Sequence, residues 1–506
     1  MSSSGQEYEF GPFGSGKPLG KRRWSFWFFL KSIGVLSTLI GLGTLGFYAR
    51  SLYLEFGERD PAEIKLSNPP LGLGLSPAAV TLELKDEGAG VDRVIVRVEQ
   101  GRQSQQLLLK DYKGRVLEDK IVIPLDAKAR GFHEGTVTLS VVAFDKSFWS
   151  NSSKATLQLE VDFRKPRISL ITTQHNAVRG GVELAFYRLL DDPKAESGVA
   201  VGDSFFPGFP ARRLDSAFES VPDVYFAFFG IPFDFKDEID ALRVIAKDAV
   251  GNSATASMFY RVAELKRGEK TDVIPSGFLE KKIEALYREY LKTETRIRGS
   301  TEKEYIPAVT REERVERFKA VNEDYRTLIN EETLRLFSHP KIERFWEGRF
   351  FRPPGKSSGF ELGDRRHFTA DGQEMGFAVQ LESDLLVPSG TEVRATNSGS
   401  VIFADTLGIY GKTVIIDHGF GLSTVYAHLS SIEQTEGTRV GQGQVIAHSG
   451  DSGFAFQPEI GFSVRLNGVP VRPAEWWDER WIADHITSKI VSVKSNLGLE
   501  VREVLP

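Results

Sequence analysis

The sequence predicts a multidomain, mainly β protein behind one N-terminal transmembrane helix. Three observations predict it. An uncharged run near the N-terminus is as long as a bilayer core is thick. Short apolar or alternating segments, divided by Gly, Asp and Asn, recur through most of the chain. One stretch in the middle switches to helical spacing.

The 506 residues exceed what one core fills, so several domains of roughly 100–200 residues are expected. The chain is 26% charged and 41% hydrophobic, an ordinary balance for folded, soluble domains. Its net charge is -5, and no Lys/Arg run lies beyond the first residues, so a nucleic-acid partner is not expected. There is no cysteine, which excludes disulfides, thiolate zinc sites and cysteine nucleophiles.

Residues 1–23 form a basic cytoplasmic segment carrying Lys17, Lys21, Arg22 and Arg23. Residues 24–49 follow as the transmembrane helix. Lys31 is its one charge and lies near one end, where it can snorkel to the headgroups. Trp24 and Trp27 at one end and Tyr48 at the other suit the interfacial belts. The basic flank places the C-terminal domains outside the inner (cytoplasmic) membrane, facing the periplasm or cell wall. A cleaved signal peptide is the alternative, but the exit from Tyr48 to Tyr53 lacks a small-x-small cleavage site.

Residues 50–75 hold acids, prolines and glycines and read as a linker. Residues 76–163 alternate in strands at Val80–Leu84, Val94–Val98, Gln106–Lys110, Lys120–Leu125, Thr136–Ala143 and Ala155–Val161, a β-sandwich pattern. Residues 164–265 repeat it weakly, with strands near Arg167–Thr172, Gly181–Tyr187 and Ala241–Ala246. The turn Lys247–Asn252 resembles the end of bacterial immunoglobulin-like modules, and Val142–Lys146 holds the equivalent place in the first module. Two immunoglobulin-like β-sandwiches are therefore expected. The second carries an aromatic-rich insert near Phe205–Phe235, which reads as core packing rather than a sugar platform, because Phe outnumbers Trp and Tyr there.

Residues 266–345 predict a helical hairpin. Leu279, Ile283, Leu286, Tyr290 and Leu291 recur at helical spacing. Thr310-Arg-Glu-Glu313 is a capping-box sequence opening a second helix through Val315, Phe318, Tyr325 and Leu328. A third short helix is expected to end at Phe337, before Pro340. Residues 346–483 return to glycine-punctuated strands, and residues 484–506 read as a C-terminal tail.

Four of the eight histidines, His367, His418, His428 and His448, fall in this last β domain, and Asp371 follows His367 by four. Such a set suggests zinc at first sight. The run from Gly408 to Ser430, with Asp417-His418-Gly419 and Tyr426-Ala-His428, resembles the central hairpin of the lysostaphin/LytM-type zinc endopeptidases. Val387-Pro-Ser-Gly-Thr391, Val440-Gly-Gln-Gly443 and the terminal Val471–Asp478 resemble its flanks. The resemblance implies a C-terminal LytM-type β domain with a groove for peptidoglycan peptides.

The resemblance also implies three zinc ligands: a His and an Asp in His-x-x-x-Asp, and the second His of His-x-His. Two further imidazoles activate water and stabilise the tetrahedral intermediate. Tyr426-Ala-His428 places His428 at a catalytic-support position. The strand entered at Glu459 lies where His-x-His belongs, with Glu459 at the first His and Gly461 at the ligand. The frame Glu374-Met-Gly-Phe-Ala378 puts Glu374 at the His of the earlier motif and Ala378 at its Asp. His367-Phe-Thr-Ala-Asp371 has the right spacing but lies nineteen residues before Gly390, too early for the motif. Tyr426, His448 and Phe462 are expected to line the groove.

Glycine and alanine offer no donor, so on this frame no metal is expected and the family's zinc chemistry is absent. The expected protein is a membrane-anchored envelope factor, a pseudoenzyme that binds peptidoglycan peptides or regulates a wall amidase, as degenerate members of the family do. The alternative is an active metalloendopeptidase with substituted ligands, which would bind zinc.

Overall fold

The computed structural model describes residues 26–53, 57, 59–190, 195–299, 301 and 304–501. The basic segment 1–23 lies outside the described residues, as do Trp24 and the chain's last five residues. The first helix, α1 (Phe26–Leu52), contains one 20-residue stretch, Ile33–Leu52, long and apolar enough to cross a membrane. Its composition and position suit an anchor or a signal sequence alike.

The chain divides into two compact units. The first holds residues up to Leu73 together with Pro77–Val161. Beyond α1 it is built from two sheets. One has the order Glu63–Ser67, Ala78–Lys85, Glu118–Leu125; the other runs Gly72–Leu73, Ser152–Val161, Gly135–Asp145, Val91–Gln100, Gln103–Val116. Alternate residues are buried, as in Val94, Val96 and Val98 or Val137, Leu139 and Val141, the period of two of a half-covered sheet.

The second unit holds Gly74–Ser76 and everything from Asp162. It opens with two four-stranded sheets, one centred on Val182–Leu190 and Val224–Gly230, the other on Glu196–Val201 and Leu242–Lys247. Phe206, Phe209, Phe218 and Phe235 of the aromatic insert are buried. They join a core continuous with the C-terminal β domain: Phe209 packs 5.2 Å from Phe420, and Phe228 lies 6.4 Å from Trp346.

The middle helices are α2 (Glu284–Arg298), α3 (Arg311–Lys319) and α4 (Arg326–Leu336). Thr310 and Glu313 close the expected capping box: the Thr310 hydroxyl accepts from the Glu313 N–H, and the Glu313 carboxylate accepts from the Thr310 N–H at 2.9 Å. A wider turn, Ala320–Tyr325, joins α3 to α4 without a break, so the expected second and third helices are one rod.

The C-terminal domain is a mostly antiparallel sheet. Its central path is Ser383–Leu386, Glu459–Leu466, Leu422–Ile432, Lys412–Gly419 and Gly399–Thr406. The helices cover one face of it: Phe318, Tyr325 and Ile329 pack with Ile415, Val425 and Ala427. Tyr426, Phe462, Trp346 and Trp476 fill the opposite face. Residues after 483 are not a loose tail. Ile482, Ile486, Ile490 and Val493 recur at helical spacing, and all four are buried in the core shared with the strand Val182–Leu190, whose Glu183 accepts from Lys489.

Candidate functional site

Three strands build the site. Ser383–Leu386 pairs with Glu459–Leu466 so that Asp384 lies opposite Gly461 and Leu386 opposite Glu459. On its other side, Glu459–Leu466 pairs with Leu422–Ile432, which sets Ala427 opposite Gly461. Directly opposed residues share a face, and alternate residues return to it. Asp384, Glu459 and Gly461 therefore face the helices. His428 follows Ala427 with φ +63°, a left-handed conformation beside a bulge at Leu429/Ser431. That twist turns its ring to the same side.

A cavity of about 30 Å³, room for roughly one water, lies between this face and the helices. Arg326, Arg366, Gln380, Glu382, Asp384, His428 and Glu459 line it. Arg366 stands on the strand Arg365–Ala370. Its Nη1 donates to Asp384 Oδ2 at 2.9 Å and its Nε donates to Asp272 Oδ2 at 2.9 Å. Its guanidinium also lies over the rings of Phe360 (4.8 Å) and Phe456 (5.2 Å). Gln380 Nε2 donates to the other Asp384 oxygen at 2.9 Å. His428 Nδ1 lies 2.9 Å from the Ser452 carbonyl, and its Nε2 faces Glu382 at 3.6 Å. Arg326, at the start of α4, is tied back to Asn322 at 3.1 Å.

The charges set one another. Burial disfavours protonated His428, yet the facing Glu382 carboxylate more than offsets this and lifts its pKa to about 9. Burial and the neighbouring Asp384 push Glu459 up to about 8. Burial would raise Glu382 as well, but His428 and the nearby arginines hold it below the usual carboxylate range.

The structure brings together His428, Glu459, Gly461 and Ala378 of the expected site. It does not bring Glu374. That carboxylate is exposed, shares a hydrogen bond of 3.0 Å with His367 Nδ1 and lies outside the cavity. The expectation for Tyr426 and Phe462 is corrected: both are fully buried on the other face. Tyr426 Oη accepts from the Thr396 N–H at 2.8 Å, and Phe462 stacks on Trp477. Their parity on the strands opposes that of Gly461. His448 lies beside Ser431 (3.1 Å) and Glu433 (3.3 Å), away from the cavity. His418 stands near the end of the strand Lys412–Gly419 rather than in a turn. It is fully buried between Ser398 O (2.7 Å) and Thr424 Oγ1 (2.8 Å), and its pKa is lowered to about 4 by burial.

Sequence reasoning missed Arg326, Arg366, Gln380, Glu382 and Asp384. A signal for two of them was present. Gln380-Leu-Glu-Ser-Asp384 keeps a four-residue spacing ending close to Val387-Pro388, whereas the Glu374–Ala378 frame rests on Gly376 alone.

Residues 382–473 match Peptidase family M23, so the chain carries an M23 domain near its C-terminus. Among relatives, the DD-carboxypeptidase/endopeptidase Mpg of Neisseria meningitidis is 42% identical over 90 residues, 18% of this chain and 21% of that protein. The murein hydrolase activator EnvC of Escherichia coli is 40% identical over 87 residues, 17% of this chain and 21% of that one. Stage II sporulation protein Q of Bacillus subtilis is 34% identical over 90 residues, 17% and 32% of the two chains. The chain thus spans about a fifth of the length of the first two relatives. Among solved structures, a putative M23 peptidase from Pseudomonas aeruginosa covers 60% of this chain and 95% of its own, at 19% identity and a TM-score of 0.29.

Proposed function

We infer that this is a membrane-anchored cell-envelope protein whose M23 domain is non-catalytic and acts by binding peptidoglycan or by regulating a wall hydrolase. In this reading Asp384, opposite Gly461, takes the Asp position of the ligand motif, and Gln380 takes its His position. The observation that carries it is the state of Asp384: one oxygen is held by the Arg366 guanidinium and the other by the Gln380 amide. A catalytic zinc needs three protein ligands and an open position for water. Here Gly461 supplies no donor, the His428 Nε2 edge faces Glu382, and two guanidiniums line the space a cation would take. The residues present therefore do not fit a zinc ion.

The relatives' printed names point both ways, since one is an endopeptidase and another an activator of murein hydrolases. Asp384 favours the second. The test uses the full-length protein in detergent. Bound zinc is measured, together with peptidoglycan cleavage and stimulation of a wall amidase. The expected result is no stoichiometric zinc, no cleavage, and either binding to sacculi or amidase stimulation. Near-stoichiometric zinc with cleavage abolished by His428→Ala would overturn the reading in favour of an active metalloendopeptidase with substituted ligands.

A further inference from the structure

With the ligand-position face of the sheet covered by helices, a surface that meets the wall must lie elsewhere. A groove of about 820 Å³ opens on the Trp477 side of the domain, the side that Phe462 rather than Gly461 faces. Phe351, Pro353 and Pro354 form its apolar wall, and Arg349, Arg352 and Arg394 add positive charge. A second chamber of about 240 Å³ continues it: Arg352 and Trp477 line both, and Arg472 lines the second. The two chambers share no residue with the cavity under the helices.

The charges are unbalanced. The acids along both chambers are Glu392 and Glu361. Glu392 is taken by Arg394, and Arg472 lies 4.0 Å from Glu475. Arg349 and Arg352 are in no ion pair among the described residues. The Arg352 guanidinium lies 5.6 Å over the Trp477 ring, which leaves its hydrogen-bonding edge open. Arginines of this kind bind carboxylates in two-pronged fashion, and an aromatic and proline wall suits a small aliphatic chain lying between them.

We propose that this groove binds a carboxylate-rich stem peptide of the cell wall. The occupant is short, extended and carries at least two free carboxylates with small apolar side chains between. Its charge matches the excess of arginines, and its small apolar side chains suit the aromatic and proline wall. The proposal rests on the envelope reading above and adds a binding surface separate from the ligand positions.

The experiment measures binding of a soluble wall tetrapeptide to the full-length protein by titration calorimetry, alongside a sacculus pull-down. The Arg349→Glu/Arg352→Glu double variant should bind the tetrapeptide at least tenfold more weakly. Lys128→Glu, a surface charge reversal in the first unit, should leave binding unchanged, and amidating the peptide's carboxylates should weaken it like the double variant. Equal affinity of wild type and double variant would overturn the groove. Equal affinity for an acidic peptide of ordinary L-residues would overturn the wall as its source and assign the groove to an acidic protein segment. Sacculus binding or amidase stimulation without tetrapeptide binding would overturn this proposal while leaving the envelope reading standing. Loss of all three readouts in the wild type would overturn both.

Discussion

Gly461 and Phe462 are neighbours in the chain, yet the two faces of their strand follow different chemistry. On the Gly461 side a small cavity holds two arginines, three acids and a histidine, with Arg366 on Asp384 and His428 facing Glu382. On the Phe462 side the packing is aromatic: Tyr426 lies 5.4 Å from Phe462, and Trp346 lies 5.5 Å from Trp476. The difference teaches what burial demands. Apolar groups gain by leaving water, whereas charges do so without loss only when opposite charges and hydrogen bonds meet them. Asp384 is answered by Arg366 and Gln380 and Glu382 by His428, whereas Glu459 is held towards its neutral form by burial and by Asp384.

The largest break in the comparison comes from removing the main cation. Arg366→Ala leaves Asp384 and Asp272 without their shared partner, and it should cost about 3–5 kcal/mol. Calorimetric melting of the full-length protein reads this as an earlier transition, and the double variant Arg366→Met/Asp384→Leu should recover much of it.

The pH dependence sharpens the same contrast. His428 titrates at about 9 in the folded state against an ordinary 6.5, so its stabilising charge is fully present below 6.5 and is lost as pH rises towards 9. At roughly 1.4 kcal/mol per unit this amounts to a few kcal/mol. Glu459, raised from 4.5 to about 8, also favours the folded state when protonated, and that contribution declines as pH rises from 4.5 to 8. Melting temperature should therefore fall between pH 5 and 9. Glu459→Gln should flatten the lower part of that fall and leave the upper part. An unchanged profile in that variant would show that Glu459 is already ionised at neutral pH.

A smaller break is steric. A Cβ at Gly461 would meet Glu382 Oε2 and His428 Cδ2, both at 2.8 Å. Gly461→Ala should cost about 1–3 kcal/mol, and the cost should shrink in a Glu382→Ala background, which a double-mutant cycle measures. The smallest effect is on the cover. Thr310→Ala removes the α3 cap and should cost about 1 kcal/mol, seen as faster amide exchange in the first turn of α3.

Local signals carried most of the elements. Uncharged length marked α1, alternation marked the strands, and Thr310 with Glu313 marked the start of α3. Tyr426-Ala-His428 marked the hairpin strand. The rest of the site came from distance. Arg366 and Arg326 reach the cavity from separate segments, Asp272 reaches Arg366 from a third, and no local period records such a meeting. The pairing of Asp384 with Gly461 is a cross-strand register, visible only once the strands are side by side. Phe462 is next to Gly461, so strand parity alone turns it to the other face, whereas the face of Tyr426 follows from its cross-strand pairing with Phe462. The helical end of the chain has its own signal in the spacing of Ile482, Ile486, Ile490 and Val493, which the expectation of a tail leaves unused.

The ladder that frames the helices has a mechanical consequence. Glu269–Val273, just before them, pairs in parallel with Arg365–Ala370, which comes after them. The helical rods are thus a closed loop of chain, fastened at its two ends to one another. A pull from the N-terminal side, where α1 lies, would reach the five paired residues Glu269–Val273 before it reached α2, and would load them in shear along the strands. The cover cannot be peeled from one end: uncovering the sheet requires that whole ladder to part, or the loop to lift as one piece.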